Sequence, residues 1–232
     1  MKILIMIPAY NEELNIERVV NNLTDNFPQY DYVVINDGSK DDTAKICRQN
    51  GFHLIDLPIN LGLSGAVQAG MRYAWQNGYD AAIQIDGDGQ HRPEYIEQLA
   101  KELEKGEAQI VIGSRFVTEK KPRSLRMLGS NVISGLIRLS TGFRLNDPTS
   151  GMRLFNRDVV KEFALNINYG PEPDTISYLI KRGVKVKEVQ VKMDERIAGE
   201  SYLNLSKSMK YMILMSFSIL FIQKTEDRKS VV

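Results

Sequence analysis

Ala81-Ala82-Ile83-Gln84-Ile85-Asp86-Gly87-Asp88-Gly89-Gln90 carries a compact apolar run straight into two carboxylates separated by one glycine. Residues 81–85 read as a buried strand, because the run is short, mostly apolar and bounded by turn residues. Two carboxylates at i and i+2, with a small residue between them, can converge on one hard cation. The same tripeptide also reads as an Asp-Gly turn joining two elements. On turn chemistry alone the two readings stand level. The position after a buried strand favours the cation, since Asp86 and Asp88 are costly there without a cation or hydrogen-bond donors.

Working outward, residues 3–7, 32–35, 53–57 and 109–112 form further apolar runs of strand type. Helical patterns fall between the strands, at about residues 12–23, 41–50, 64–76 and 93–104. Pro93 suits a first helical turn, and Gly51, Gly78 and Gly106 follow helix ends. This β–α alternation predicts an α/β fold with a mostly parallel sheet covered on both faces. Such sheets bind ligands at the carboxyl ends of their strands. In the second half the patterns predict helices over 124–140, 158–164 and 175–181, a strand over 185–192 and a last helix over 205–222.

The 232 residues suit one sizeable α/β domain, or one with a short appendage. Thirty Lys and Arg balance 29 Asp and Glu, so the basic excess of a nucleic-acid binder is missing. The single cysteine, Cys47, leaves no internal disulfide and reads as structural, in keeping with a reducing, cytoplasmic setting. The apolar run at residues 3–7 is too short for a signal peptide and stops at Pro8.

Three more polar motifs follow strands. Ile7-Pro8-Ala9-Tyr10-Asn11-Glu12-Glu13 is a rigid loop with a ring and polar groups, or a helix start capped by Asn11. Ile35-Asn36-Asp37-Gly38-Ser39-Lys40-Asp41 offers Asp37 as an acceptor for the N–H edge of a nucleobase, while Ser39 or Asp41 reads as a helix cap. Asn60-Leu61-Gly62-Leu63-Ser64-Gly65 opens a helix with small residues and free N–H groups, which suits a diphosphate, though it lacks P-loop or dinucleotide spacing.

In this order the four motifs resemble family 2 glycosyltransferases, most closely the dolichol/polyprenyl-phosphate sugar synthase branch. The resemblance continues through Gly113-Ser114-Arg115-Phe116, Asp147-Pro148-Thr149-Ser150-Gly151-Met152-Arg153 and Arg196-Ile197-Ala198-Gly199-Glu200-Ser201, and covers about residues 3–205. It implies a GT-A fold and an inverting, metal-dependent transfer from a nucleotide diphosphate sugar. UDP is the expected nucleotide, with GDP the alternative. Pro8, Tyr10, Glu12, Asp37, Asn60, Gly65 and Asp86 are implied for the nucleotide. Asp86, Asp88 and Gln90 are implied for Mg²⁺ or Mn²⁺. Arg115, Arg126, Ser150, Arg196 and Ser201 are implied for the acceptor; Asp86, Asp88, Asp147, Arg115, Arg126 and Arg196 make up the catalytic set. One departure is Asn36-Asp37, where the family often carries two acids.

The acceptor half is less specified. A hydroxyl acceptor needs a general base, for which Asp147, Glu172 and Asp174 are candidates, although Asp174 equally reads as a helix cap. A phosphate acceptor is already ionised and needs positioning instead. Residues 211–222 are almost wholly apolar, with Lys207 and Lys210 before them and Lys224 after. That run is too short to span a bilayer comfortably. It suits a membrane interface, a buried core or a dimer contact; Lys120 to Arg126 adds a basic edge. The expectation is a catalytic domain over 1–204 and an amphipathic helix with a polar tail over 205–232. The leading function is sugar transfer to polyprenyl phosphate by a protein held peripherally on the cytoplasmic membrane face, as a homo-oligomer or with a small membrane-protein partner. The alternatives are transfer to a hydroxyl of a glycan or glycolipid, and a non-catalytic nucleotide-sugar-binding protein.

Overall fold

The computed structural model describes residues 1–166, 170, 172–196, 198 and 205–222; the side chains of residues 125, 126, 205–209 and 222 lie outside that set. Seven strands, β1 (Ile3–Ala9), β2 (Asp31–Asn36), β3 (Leu54–Asp56), β4 (Ala81–Gln84), β5 (Ile110–Ser114), β6 (Arg153–Asn156) and β7 (Val186–Gln190), form one sheet in the order β3-β2-β1-β4-β6-β5-β7. β1 is buried along its whole length at the centre. It runs parallel to β2 on one side and β4 on the other. β6 alone is antiparallel to its neighbours, β4 and β5. The sequence pattern did not predict β6: it is four residues long and begins on a charged residue, Arg153.

The strand pleat divides the core in two. Ile3, Ile5 and Ile7 of β1 face a cluster with Ile83, Val111 and Leu154. α1 (Ile16–Asn26) and α4 (Ile96–Glu104) close it with Val20 and Leu99. Leu4 and Met6 face the other cluster, with Ile35, Ala82, Ile112 and Phe155. There α3 (Gly62–Gln76), α5 (Leu125–Thr141), α6 (Arg157–Leu165) and α7 (Pro173–Lys181) supply Met71, Ile133, Phe163 and Ile176. Cys47 is buried in α2 (Thr43–Gln49), and burial pushes its thiol up to about 11, so it is a packing residue.

Helix starts differ from the sequence expectation in three places. α1 begins at Ile16, and Asn11 does not cap it. Asn11 instead takes φ +56°; its N–H donates to Ser39 Oγ and its Oδ1 accepts from Lys40 N–H, both at 2.9 Å. Those bonds tie the loop after β1 to the loop after β2 before the helix can start. α7 begins at Pro173, a favoured first position, so Asp174 lies inside the first turn and does not cap the helix. Neither Ser39 nor Asp41 is the N-cap of α2, which is Asp42, although Asp41 Oδ1 accepts from Thr43 N–H at 3.0 Å.

α8 (Leu205–Phe217) continues as a π-helical turn, Ser218–Ile222, and packs on α5. The approach is close: a Cβ added at Gly129 of α5 would overlap the Met212 sulfur. Ile219 is buried, while Ile213, Leu214, Phe217 and Phe221 face outward. The apolar run at 211–222 is thus part core and part surface.

Candidate active site

The chain leaves β1 to build β2 and β3 on one side, then returns to β4 on the other. Ligands gather at such a switch point, outside the carboxyl ends of the strands. A cleft of about 450 Å³ opens there. The loop after β1 gives it Pro8, Tyr10 and Glu12, the loop after β2 gives Asp37, and the start of α3 adds Asn60 and Gly62. From β4 and its loop come Gln84, Asp86, Asp88 and Gln90.

Asp86 and Asp88 are held by their own loop. Asp86 N–H donates to His91 Nδ1 at 3.0 Å, and Asp86 Oδ1 accepts from Gln84 Nε2 at 2.7 Å. Asp88 Oδ1 accepts from Gln90 N–H at 3.0 Å. Burial, and then the Asp86 charge, hold the Asp88 carboxyl above the usual carboxylate range. Arg196 Nη1 lies 3.9 Å from Asp88 Oδ2. The other end of that guanidinium is committed: Nη2 donates to Glu12 Oε1 at 2.5 Å and Nε to Ala198 O at 2.9 Å. Glu12 also accepts from Asn15 Nδ2 at 2.8 Å, yet burial still raises its carboxyl. Asp37 is buried, raised by that burial, and accepts from Leu61 N–H at 2.7 Å; this fixes the start of α3.

The opposite wall comes from the second half of the chain: Thr149, Ser150 and Gly151 before β6, Arg153 on β6, Glu172 before α7, and Tyr211 and Met212 on α8. Arg153 is fully buried and donates to Pro148 O at 2.7 Å; burial lowers its pKa. Burial raises Glu172, which accepts the Tyr211 hydroxyl. Ser150 Oγ donates to Gly113 O at 2.5 Å.

Of the residues expected from sequence, Pro8, Tyr10, Glu12, Asp37, Asn60, Asp86, Asp88, Gln90, Ser150 and Arg196 line this cleft together. Gly65, Arg115 and Asp147 do not. Arg115 forms a fork on Asp147, with Nε to Oδ2 at 2.7 Å and Nη2 to Oδ1 at 2.9 Å, and the Asp147 carboxylate is fully buried. A carboxylate occupied in this way has no free lone pair aimed at a substrate. Gly65 packs inside α3, against Leu61. The Arg126 side chain and Ser201 lie outside the described residues. Sequence reasoning missed Gln84, Arg153 and Tyr211. The signal for the first two was a polar residue at a position that a buried strand reserves for an apolar one.

Among the described residues no group of three His, Cys, Asp or Glu side chains gathers around one point. Two carboxylates with a neighbouring amide fit a cation that takes its remaining oxygens from phosphates and water, as Mg²⁺ does. The crowded charge on Asp88 points the same way.

The glycosyl transferase family 2 model matches residues 4–163, well over half of the chain. The chain is a family 2 glycosyltransferase. The transferase is 31% identical over 217 residues to the undecaprenyl-phosphate mannosyltransferase of Micrococcus luteus, spanning 88% of each chain. It is 28% identical over 214 residues to the polyprenol monophosphomannose synthase of Mycolicibacterium smegmatis, spanning 87% of this chain and 80% of that one. Its fold is similar to that of glucosyl-3-phosphoglycerate synthase from Mycobacterium tuberculosis in complex with Mn²⁺, UDP and glucosyl-3-phosphoglycerate. There the TM-score is 0.67 at 19% identity, covering 94% of this chain and 79% of that one. The mostly parallel sheet is therefore that of a GT-A transferase.

Proposed function

We propose that the transferase moves a sugar from a nucleotide diphosphate sugar to polyprenyl phosphate at the cytoplasmic membrane face. The observation that carries this reading is the pair Asp86 and Asp88, crowded together at the end of β4 in a cleft that also holds Arg153 and Arg196. Pro8, Tyr10, Asp37 and Asn60 take the nucleoside. Asp86, Asp88 and Gln90 hold Mg²⁺ or Mn²⁺, which would neutralise the charge gained by the leaving diphosphate. Arg196, clamped to Glu12, sets the distance between the nucleotide loop and the diphosphate.

The acceptor side supports a phosphate. Asp147 is closed off by Arg115, and Glu172 is tied to Tyr211, so neither of these carboxylates stands ready as a base. An ionised phosphate needs none. Arg196 Nη1 supplies an anion contact there, while the Ser150 hydroxyl is committed to Gly113 O, and the resemblance adds Arg126 and Ser201 to the acceptor set. The raised Glu172 carboxyl favours one second reading, a hydroxyl acceptor with Glu172 as base.

Membrane association rests on the outer faces of two packed helices. Leu128, Val132 and Leu139 of α5 are exposed, as are Ile213, Leu214, Phe217 and Phe221 at α8. No described helix is long and apolar enough to cross a membrane. A helix of this kind lies in the interface with its apolar face down. The division into a domain at 1–204 and a helical tail follows the same logic.

The test is incubation with polyprenyl phosphate and a panel of labelled nucleotide sugars: UDP-hexoses, UDP-N-acetylhexosamines, and mannosyl donors on either nucleotide. A labelled lipid supports the reading. Binding of nucleotide sugar without any transfer, to lipid or to hydroxyl acceptors, overturns it in favour of a binding protein.

A further inference from the structure

Gln84 ends β4 and pairs across the sheet with Arg153 of β6. It is 1% exposed, yet it lines the floor of the cleft. Its amide nitrogen donates to Asp86 Oδ1 at 2.7 Å. An ionised carboxylate only accepts, so this bond settles which end of the amide is nitrogen. The other end, Oε1, has no hydrogen-bond donor among the described residues. A buried amide oxygen without a donor is costly, and native structures supply it with water or a ligand.

The chemistry of the floor narrows the ligand. An amide oxygen recognises a hydroxyl or an N–H and offers nothing to a phosphate oxygen. Charge on the diphosphate is answered elsewhere, by Arg196 and by the cation that Asp86 and Asp88 would hold. Arg153 stands across the sheet from Gln84 and Glu172 lines the same cleft, a mixed donor and acceptor lining that suits a polyhydroxyl group. We propose that Gln84 Oε1 accepts a hydrogen bond from one hydroxyl of the donor sugar, and that Gln84 thereby determines which hexose is transferred. This rests on reading the cleft as a nucleotide-sugar site. A sugar without that hydroxyl, or with it inverted, leaves the buried oxygen unpaired, and sites of this type reject such analogues strongly.

The experiment is a cycle of two enzymes, the full chain and its Gln84→Leu variant, against the active nucleotide sugar and its single-deoxy analogues. In the unmodified enzyme, removal of one particular hydroxyl lowers kcat/KM by about 10-fold or more, in line with a lost buried hydrogen bond. In Gln84→Leu the native donor falls by a similar factor, and the penalty at that one position disappears while the others remain. The variant also loses the bond to Asp86, but every donor shares that loss, so the cycle cancels it. Affinity for the nucleoside diphosphate alone, which carries no sugar, is measured by calorimetry to give the share of the fall that comes from the lost bond to Asp86. A flat deoxy series in the unmodified enzyme overturns the proposal even if the variant does not fold. Penalties that multiply independently at every position overturn it as well, as does a fall in the native donor no larger than the fall in nucleoside diphosphate affinity. Transfer from some nucleotide sugar with any of these results leaves the cleft reading standing; no transfer from any nucleotide sugar removes that reading and the proposal together.

Discussion

Gly151→Ala places a methyl group against the proposed cation site from behind. A Cβ at Gly151 would stand 2.8 Å from Asp86 Oδ2 and 3.0 Å from His91 Cε1. His91 cannot yield, because it is buried and its Nδ1 accepts the Asp86 N–H. The Asp86 carboxylate is partly exposed and must move instead, by roughly 0.5 Å to reach ordinary contact. That movement strains the 2.7 Å bond from Gln84. Overpacking costs about 1–3 kcal/mol, and the exposed carboxylate places this case near the lower end. For a chain of this size the Tm should fall by about 2–4 °C. Activity should suffer more, since small displacements of a catalytic group cost up to about 100-fold; kcat/KM is expected to drop about 10- to 100-fold. Gly135→Ala is the control: it lies in α5 with open space around its Cβ position, so it should leave activity intact and raise stability by about 0.5–1 kcal/mol. Thermal scans and initial rates on both variants decide the matter. Wild-type kcat/KM and wild-type cation affinity in Gly151→Ala would refute the packing argument.

Glu12, Asp37, Asp88 and Glu172 are all held above the usual carboxylate range, by burial first. Their contribution to stability is full below the unfolded values and is lost as pH rises through the raised folded values. A cation that needs ionised Asp88 should therefore raise the Tm more at about pH 7.5 than at about pH 5, as scans with and without Mn²⁺ would show; equal shifts would count against Asp88 as a ligand. Arg196→Ala leaves Glu12 buried with Asn15 as its remaining side-chain donor, so nucleotide-sugar affinity should fall about 10-fold or more by calorimetry, and Arg196→Lys should not restore it, because an ammonium cannot fork between Glu12 and Ala198. Replacing Phe217 and Phe221 with serine removes two exposed stacked rings and should weaken flotation with anionic vesicles several-fold, while turnover of a short water-soluble acceptor stays unchanged. Undiminished flotation would place the membrane contact elsewhere.

The half of the cleft built on β1, β2 and β4 was legible because it is local. Asp37, Asp86 and Asp88 each follow a strand directly, and the parallel β1, β2 and β4 bring those ends together whatever the rest of the chain does. The opposite wall depends on contacts that no sequence spacing reveals. Arg196 reaches Glu12 from the far end of the chain, and Tyr211 meets Glu172 only because α8 folds back over α5. Arg115 and Asp147 carry chemistry-bearing types in suggestive motifs, yet they satisfy each other. β6 was hidden by its length and by Arg153, whose burial beside Gln84 reflects the cleft floor more than strand propensity. The apolar run at 211–222 permitted a core helix or a surface helix, and the fold uses it as both.

In the proposed reaction, transfer of sugar to polyprenyl phosphate depends on a cation at Asp86 and Asp88. That dependence is measured most directly by the initial rate of labelled-lipid formation from the active nucleotide sugar, before and after chelation, after return of Mg²⁺ or Mn²⁺, and in Asp88→Ala. Transfer should be lost on chelation, recover with the cation, and fall by about 1,000-fold or more in Asp88→Ala, a loss that no cation concentration repairs. Labelled lipid formed at an unchanged rate after chelation, or by Asp88→Ala, would contradict that dependence.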